Sequence, residues 1–209
     1  IVFGDWSSDV CSSDLRSRSF WSREYPALRA VLGEVLSGVS LDDFLRGINK
    51  VEPSLIRTEA DEVTYGLHII LRFEMEAELL SGRLAVEDVP AAWNAKTRDL
   101  LGIEPPNDAK GCLQDVHWSA GLFGYFPSYS LGNLYAAQFV QTMRKDLDLD
   151  DRVREGDYAA VLGWLRKNIH TPGAALLPME LCERVTGRTL DAGHFVEYLN
   201  RKYSEIYGF

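Results

Sequence analysis

The segment Thr58-Glu59-Ala60-Asp61-Glu62-Val63-Thr64-Tyr65-Gly66-Leu67-His68-Ile69-Ile70-Leu71-Arg72-Phe73-Glu74-Met75-Glu76-Ala77-Glu78-Leu79-Leu80-Ser81-Gly82 reads as one long central helix. Pro53 keeps Glu52 out of helical geometry, so the helix is expected to start near Thr58 or Glu59, and Gly82 supplies its stop. Arg57, Asp61, Thr64 or Tyr65, His68 and Arg72 recur every three or four positions, which puts them on one helical face. Val63, Leu67 and Ile70 form a neighbouring apolar stripe, so the polar face borders a core.

Outward from this segment the same period recurs. Ser40 with Asp43 three residues later forms a capping box ahead of Leu41, Phe44, Leu45 and Ile48, predicting a helix over 40–50. Helical patterns also cover 87–101, 131–147, 155–168 and 191–206, the last with Phe195, Leu199, Tyr203 and Ile206 on one stripe. Long alternating strands are absent, so the fold class is all-α, mostly helical. Residues 102–130 are rich in Gly, Pro and aromatics with weak periodicity and read as a structured loop, the kind that usually carries function.

The 209-residue chain is 46% hydrophobic and 25% charged, ordinary for a globular protein with a sizeable core. A net charge of -9 without a basic run excludes attraction to a phosphate backbone, so nucleic acid is not an expected partner. The longest apolar run is broken by Arg72 and Glu74, which predicts no membrane span. Cys11, Cys112 and Cys182 have neither disulfide-framework nor thiolate-metal spacing, and with no signal-peptide layout a cytoplasmic location is expected.

The first fifteen residues stand apart. Ser7-Ser8-Asp9-Val10 is echoed by Ser12-Ser13-Asp14-Leu15 with neither helical nor alternating period. Residues 1–15 are expected to be a non-native or disordered leader resembling translated adapter sequence, ahead of a domain over 16–209. The lack of an initiator Met agrees with a truncated reading frame.

Two segments carry chemistry. In Ile56-Arg57-Thr58-Glu59-Ala60-Asp61, Arg57 is suited to a substrate carboxylate because its planar fork donates two charge-assisted hydrogen bonds; a structural pair with Asp61 one turn later is the alternative. In Gly111-Cys112-Leu113-Gln114-Asp115-Val116-His117-Trp118, followed by Gly124-Tyr125-Phe126-Pro127-Ser128-Tyr129, His117 could donate to a scissile carbonyl or oxyanion, as could Tyr125 or Tyr129. The alternative is a loop core in which His117 caps carbonyls and the aromatics pack. His68, mid-helix, reads as a satisfied core histidine. No pair of histidines at i, i+4 encloses a glutamate, so the chain has no zincin motif, and no metal ligands are assigned.

These two segments together resemble the carboxypeptidase Taq family of zinc metallocarboxypeptidases, whose signatures I-R-x-x-A-D and G-x-x-Q-D-x-H-W are both complete here. The resemblance runs from about Arg16 to Phe209 and includes Asn49-Lys50-Val51-Glu52-Pro53-Ser54-Leu55 and Leu131-Gly132-Asn133-Leu134-Tyr135-Ala136-Ala137-Gln138. It implies a helical, clefted, zincin-like metallopeptidase fold, release of C-terminal amino acids from peptides by zinc-activated water, and a homodimer at full length. It implies that Arg57 holds the substrate carboxylate and that Asp61 fixes Arg57 or a metal-binding histidine. His117 takes the transition-state role with Tyr125 and Tyr129 on the same wall, while Gln114 and Asp115 hold the loop. The family's zinc helix and third ligand lie N-terminal to what this chain contains. The chain is therefore expected to be a C-terminal fragment, inactive alone, whose full-length parent binds zinc, with cobalt as an expected substitute. A noncatalytic helical peptide-binding domain is the competing expectation.

Overall fold

The computed structural model describes residues 15–209, which include nine α-helices and no strand. Residues 1–14, most of the expected leader, and with them Cys11, lie outside the described residues. The helices are α1 (Arg18–Leu32), α2 (Leu41–Ile48), α3 (Tyr65–Leu80), α4 (Val89–Leu101), α5 (Pro127–Asp146), α6 (Leu149–Glu155), α7 (Tyr158–Leu165), α8 (Pro178–Thr186) and α9 (Gly193–Tyr207). They fall into two compact units, one formed by Asn49–Leu131 and the other by the described residues up to Ile48 together with Gly132–Phe209.

The second unit is organised around α5. Tyr135, Ala136, Phe139, Val140 and Met143 recur at helical spacing and bury one face against Leu149, Val153, Trp164, Leu165, Ile169, Leu181 and Cys182. Gln138, on the same helix, is buried but fully used: its amide donates to Thr186 Oγ1 and to the Thr189 carbonyl, both at 3.0 Å, and its oxygen accepts from Asp191 N at 2.9 Å. Phe139 has no exposed surface. Phe139→Ala should therefore cost about 3–5 kcal/mol through lost transfer energy and a residual cavity. A urea midpoint within error of the wild type would contradict that placement.

The capping predicted at Ser40 is present through its side chain: Ser40 Oγ accepts from Asp43 N at 3.1 Å and donates to Asp43 Oδ2 at 2.6 Å. The helix predicted over 155–168 is present but starts three residues later, because Gly156 adopts φ 77° and ends α6 at Glu155, and Asp157 caps α7 by accepting from Ala160 N. A wide turn over Arg166–His170 follows α7. Helix α5 starts at Pro127, four residues earlier than its period suggests, since proline suits a first helical turn.

The first unit contains α3 and α4 and positions the candidate site. Leu71 and Met75 of α3 pack on Val89 and Trp93 of α4 and on Cys112 of the following loop. The long helix predicted from Thr58 begins only at Tyr65; Arg57–Glu59 is a separate single turn. The cause is Asp61. Its Oδ1 accepts from Val63 N and Thr64 N at 2.8 and 2.9 Å, and its Oδ2 from Thr64 Oγ1 at 2.8 Å and Glu52 N at 3.1 Å. A short carboxylate that captures nearby backbone donors competes with a continuing helix.

Candidate functional site

All of the singled-out residues lie in the first unit. Arg57, on its single turn, is held at the backbone by Gln114: Arg57 N donates to Gln114 Oε1 at 2.9 Å, and the Gln114 amide donates to the Leu55 carbonyl at 3.0 Å. The amide also reaches the Lys110 and Gly111 carbonyls, each at 3.2 Å, so one side chain ties both motifs together.

The centre of the arrangement is Asp115. Its Oδ1 accepts from Arg57 Nε at 3.0 Å and Arg57 Nη2 at 2.7 Å, and its Oδ2 accepts from Arg72 Nε at 2.6 Å. Arg72 Nη2 is also 2.6 Å from Oδ2, as an ion-pair contact without hydrogen-bond geometry. Arg72 Nη1 donates to the His68 carbonyl at 2.9 Å, one turn back on α3. Arg57 Nη1 donates to the Tyr65 hydroxyl at 3.2 Å. Aromatic faces complete the enclosure: the Arg57 guanidinium carbon is 5.0 Å from the Tyr129 ring centre, and that of Arg72 is 4.8 Å from Trp93. Burial alone would raise the Asp115 carboxyl, but the hydrogen bonds and charges of the two guanidiniums outweigh it and hold the group below its ordinary range.

The expected partner of Arg57 is therefore corrected. Asp61 does not pair with it; the carboxylate of Asp61 is consumed by the turn that starts α3. Arg57 and Asp61 also do not share a helical face with His68 and Arg72, because the helix begins after both. Arg57, Gln114, Asp115 and His117 are brought together by the fold of the chain.

His117 is buried, and its Nε2 lies 3.0 Å from the Tyr129 hydroxyl. Its Nδ1 is 3.9 Å from Asp115 Oδ1, beyond hydrogen-bond reach, and is enclosed without a partner. The ring is 4.2 Å from Phe126 and 5.7 Å from Tyr125 between centres. Burial lowers the His117 pKa and raises that of Tyr129, so near neutral pH an uncharged imidazole faces a protonated phenol. Tyr125 joins through its ring, 5.4 Å from that of Tyr129.

Glu76 belongs to this arrangement and is not among the residues singled out from sequence. Buried on α3, it accepts from Trp118 Nε1 at 2.9 Å through one oxygen and from Gly124 N at 3.0 Å through the other. It thus clasps the loop that follows His117 at both ends. The signal was available: His68, Arg72 and Glu76 are spaced by four on one helical face.

His68 is buried and its Nε2 has no hydrogen-bond partner. Burial, then the positive charges of Arg72 and Arg57, push its pKa down to about 4. A base whose folded pKa lies below its unfolded value stabilises the fold above the unfolded value near 6.5, and that contribution is lost as pH falls toward 4. Between pH 7 and pH 5 the loss should be on the order of 2 kcal/mol. His117 adds to it in the same direction. Chemical denaturation at the two pH values should show a smaller loss in His68→Gln; an unchanged loss would mean that His68 is not buried as the neutral base.

Among the described residues no group of three or more His, Cys, Asp or Glu side chains could hold a metal ion. The pieces present are anion-receiving (Arg57) and donor-bearing (His117, Tyr129), together with the residues that fix them.

Comparison with known proteins gives a consistent set of matches. The profile of the carboxypeptidase Taq (M32) metallopeptidase family matches residues 14–203. The chain is 50% identical over 194 residues to thermostable carboxypeptidase 1 of Thermus thermophilus, covering 92% of this chain and 38% of that protein. It is 44% identical over 193 residues to carboxypeptidase 1 of Bacillus subtilis, again with 92% and 38% covered. Among solved structures, the M32 carboxypeptidase from Deinococcus radiodurans R1 superimposes with a TM-score of 0.90 at 43% identity, over 93% of this chain and 39% of that one. The chain thus spans under two fifths of the length of the relatives it matches.

Proposed function

Because the chain belongs to the carboxypeptidase Taq (M32) metallopeptidase family, we propose that it is the substrate-side, C-terminal portion of a metallocarboxypeptidase that releases C-terminal amino acids from peptides. The observation that carries this reading is the state of Arg57. Three of its five N–H groups are engaged, two by Asp115 and one by Tyr65. One N–H on each terminal nitrogen is left over, the number that a bidentate carboxylate requires.

In this reading Arg57 receives the C-terminal carboxylate of the peptide, which distinguishes an exopeptidase from an endopeptidase. Gln114 and Asp115 fix its backbone and guanidinium. The donor shared by His117 and Tyr129 serves the carbonyl oxygen of the scissile bond, where negative charge develops, and Tyr125 lines the same wall. Asp61 acts indirectly by setting where the turn before α3 ends.

The described residues do not fit a metal, so the zinc of this reading, replaceable by cobalt, is held by ligands in the part of the protein that this chain does not contain. The chain alone is then inactive. Homodimerisation at full length and a cytoplasmic location complete the proposal and rest on the resemblance and the composition.

The test is release of C-terminal amino acids from a short peptide panel by the full-length protein, with and without added zinc or cobalt. Metal-dependent release is the expected result. A well-folded full-length protein that binds the peptides without cleaving them would replace this reading with a noncatalytic peptide-binding domain.

A further inference from the structure

We infer that Arg72 is a positioning residue for substrate binding: by neutralising Asp115, it leaves the positive charge of Arg57 directed at the peptide's carboxylate. The inference rests on the reading of Arg57 as the carboxylate receptor.

The argument is one of charge and access. Two guanidiniums share one carboxylate, with Arg57 on Oδ1 and Arg72 on Oδ2, so the trio carries one net positive charge. Arg57 paired with Asp115 alone would be a closed, neutral pair with little attraction for a further anion. Arg72 itself cannot receive that anion. Its side chain has no exposed surface, Nη1 is taken by the His68 carbonyl, and its guanidinium lies against the rings of Trp93 and Phe126. Of the two guanidiniums, Arg57 is the one that has both spare N–H groups and exposed surface, 8% of its side chain against none for Arg72. Glu76, a buried carboxylate on the same helix as Arg72, pairs with neither guanidinium: its oxygens accept from the Trp118 indole and the Gly124 amide, so Asp115 is the carboxylate in direct contact with Arg57.

Stability alone does not account for Arg72. A buried guanidinium carries a desolvation penalty, and well-packed apolar replacements of buried ionic groups are often neutral or stabilising. A role in retaining net charge beside the substrate accounts for a cation that touches no solvent and can touch no peptide.

Four variants of the full-length protein, assayed on peptides with free and amidated C-termini, decide between charge and mere support. Arg72→Met makes the trio neutral and should raise KM for free-acid peptides by roughly ten- to a hundredfold, with kcat and the amidated peptides much less affected. Adding Asp115→Asn to Arg72→Met restores the net positive charge and leaves Arg57 an amide oxygen to hold it, so KM should return to within a few-fold of wild type. Arg72→Lys keeps the charge while losing the planar fork, and should stay close to wild type even if Arg72→Met folds poorly. Asp115→Asn alone serves as the reference for the double variant. A double variant no better than Arg72→Met, or Arg72→Lys as impaired as Arg72→Met, would overturn the charge role in favour of simple support. Failure of the wild type to prefer free-acid over amidated peptides would instead remove the underlying assignment of Arg57.

Discussion

Arg57→Ala in the full-length protein should lower kcat/KM for peptides with a free C-terminus by about 10²–10³-fold, while amidated peptides lose far less. The size follows from what is removed. The guanidinium is buried, anchored by Asp115 and Tyr65, and flanked by the Phe126 and Tyr129 rings, so it meets a carboxylate where water screens little. A charge-assisted pair in such a place is worth several times an exposed one, which contributes about 0–1 kcal/mol. Because the carboxylate is bound in both the ground state and the transition state, most of the loss should appear in KM. Arg57→Lys should recover only part of it, since a point charge cannot hold Asp115 and a carboxylate through one fork.

The largest stability effect is expected at Asp115. Asp115→Ala leaves two guanidiniums without their carboxylate, one of them with no exposed surface, and should cost about 3–5 kcal/mol in denaturant unfolding. Asp115→Asn should cost less, because its amide oxygen still accepts a hydrogen bond. The carboxyl is pulled up by burial but held below its ordinary range by Arg57 and Arg72. A carboxylate whose folded pKa lies below its unfolded value stabilises the fold at pH above the unfolded value, and this contribution disappears as pH falls through the folded value. The acid limb of unfolding below about pH 4 should therefore flatten in Asp115→Asn relative to wild type. An Asp115→Ala protein as stable as wild type would mean that the two guanidiniums find water or other partners and that Asp115 is not the centre of the site.

The sequence is informative about this site to a definable depth. The residue types and spacing within Ile56–Asp61 and Gly111–Trp118 mark Arg57, Gln114, Asp115 and His117, and the fold brings these four into one compact unit. Who pairs with whom was not legible. Asp115 is 58 positions from Arg57 and 43 from Arg72, and no local rule reaches that far. The i, i+4 spacing instead favours Asp61 as the partner, because that pairing is the strongest short-range expectation on a helix. It fails because Asp61 uses its oxygens on the backbone of the turn and so prevents the helix from including Arg57. The same limit applies to Glu76. Its position on the face of His68 and Arg72 could be read, but its partners Trp118 and Gly124 come from a loop whose path depends on the packing of α3 on α4. Of the helices, those with a clear apolar period, α2, α4 and α9, appear within a few residues of their expected limits. The helix expected over 155–168 starts only at Tyr158, because Gly156 in the left-handed region ends the helix before it.

The most direct test of the central claim is the ratio of kcat/KM for a peptide with a free C-terminal carboxylate to that for its amide, measured on the full-length protein and on Arg57→Ala with metal supplied. The account predicts a large ratio in the wild type that collapses toward one in the variant; a ratio unchanged by the substitution would contradict the assignment of Arg57 as the carboxylate receptor.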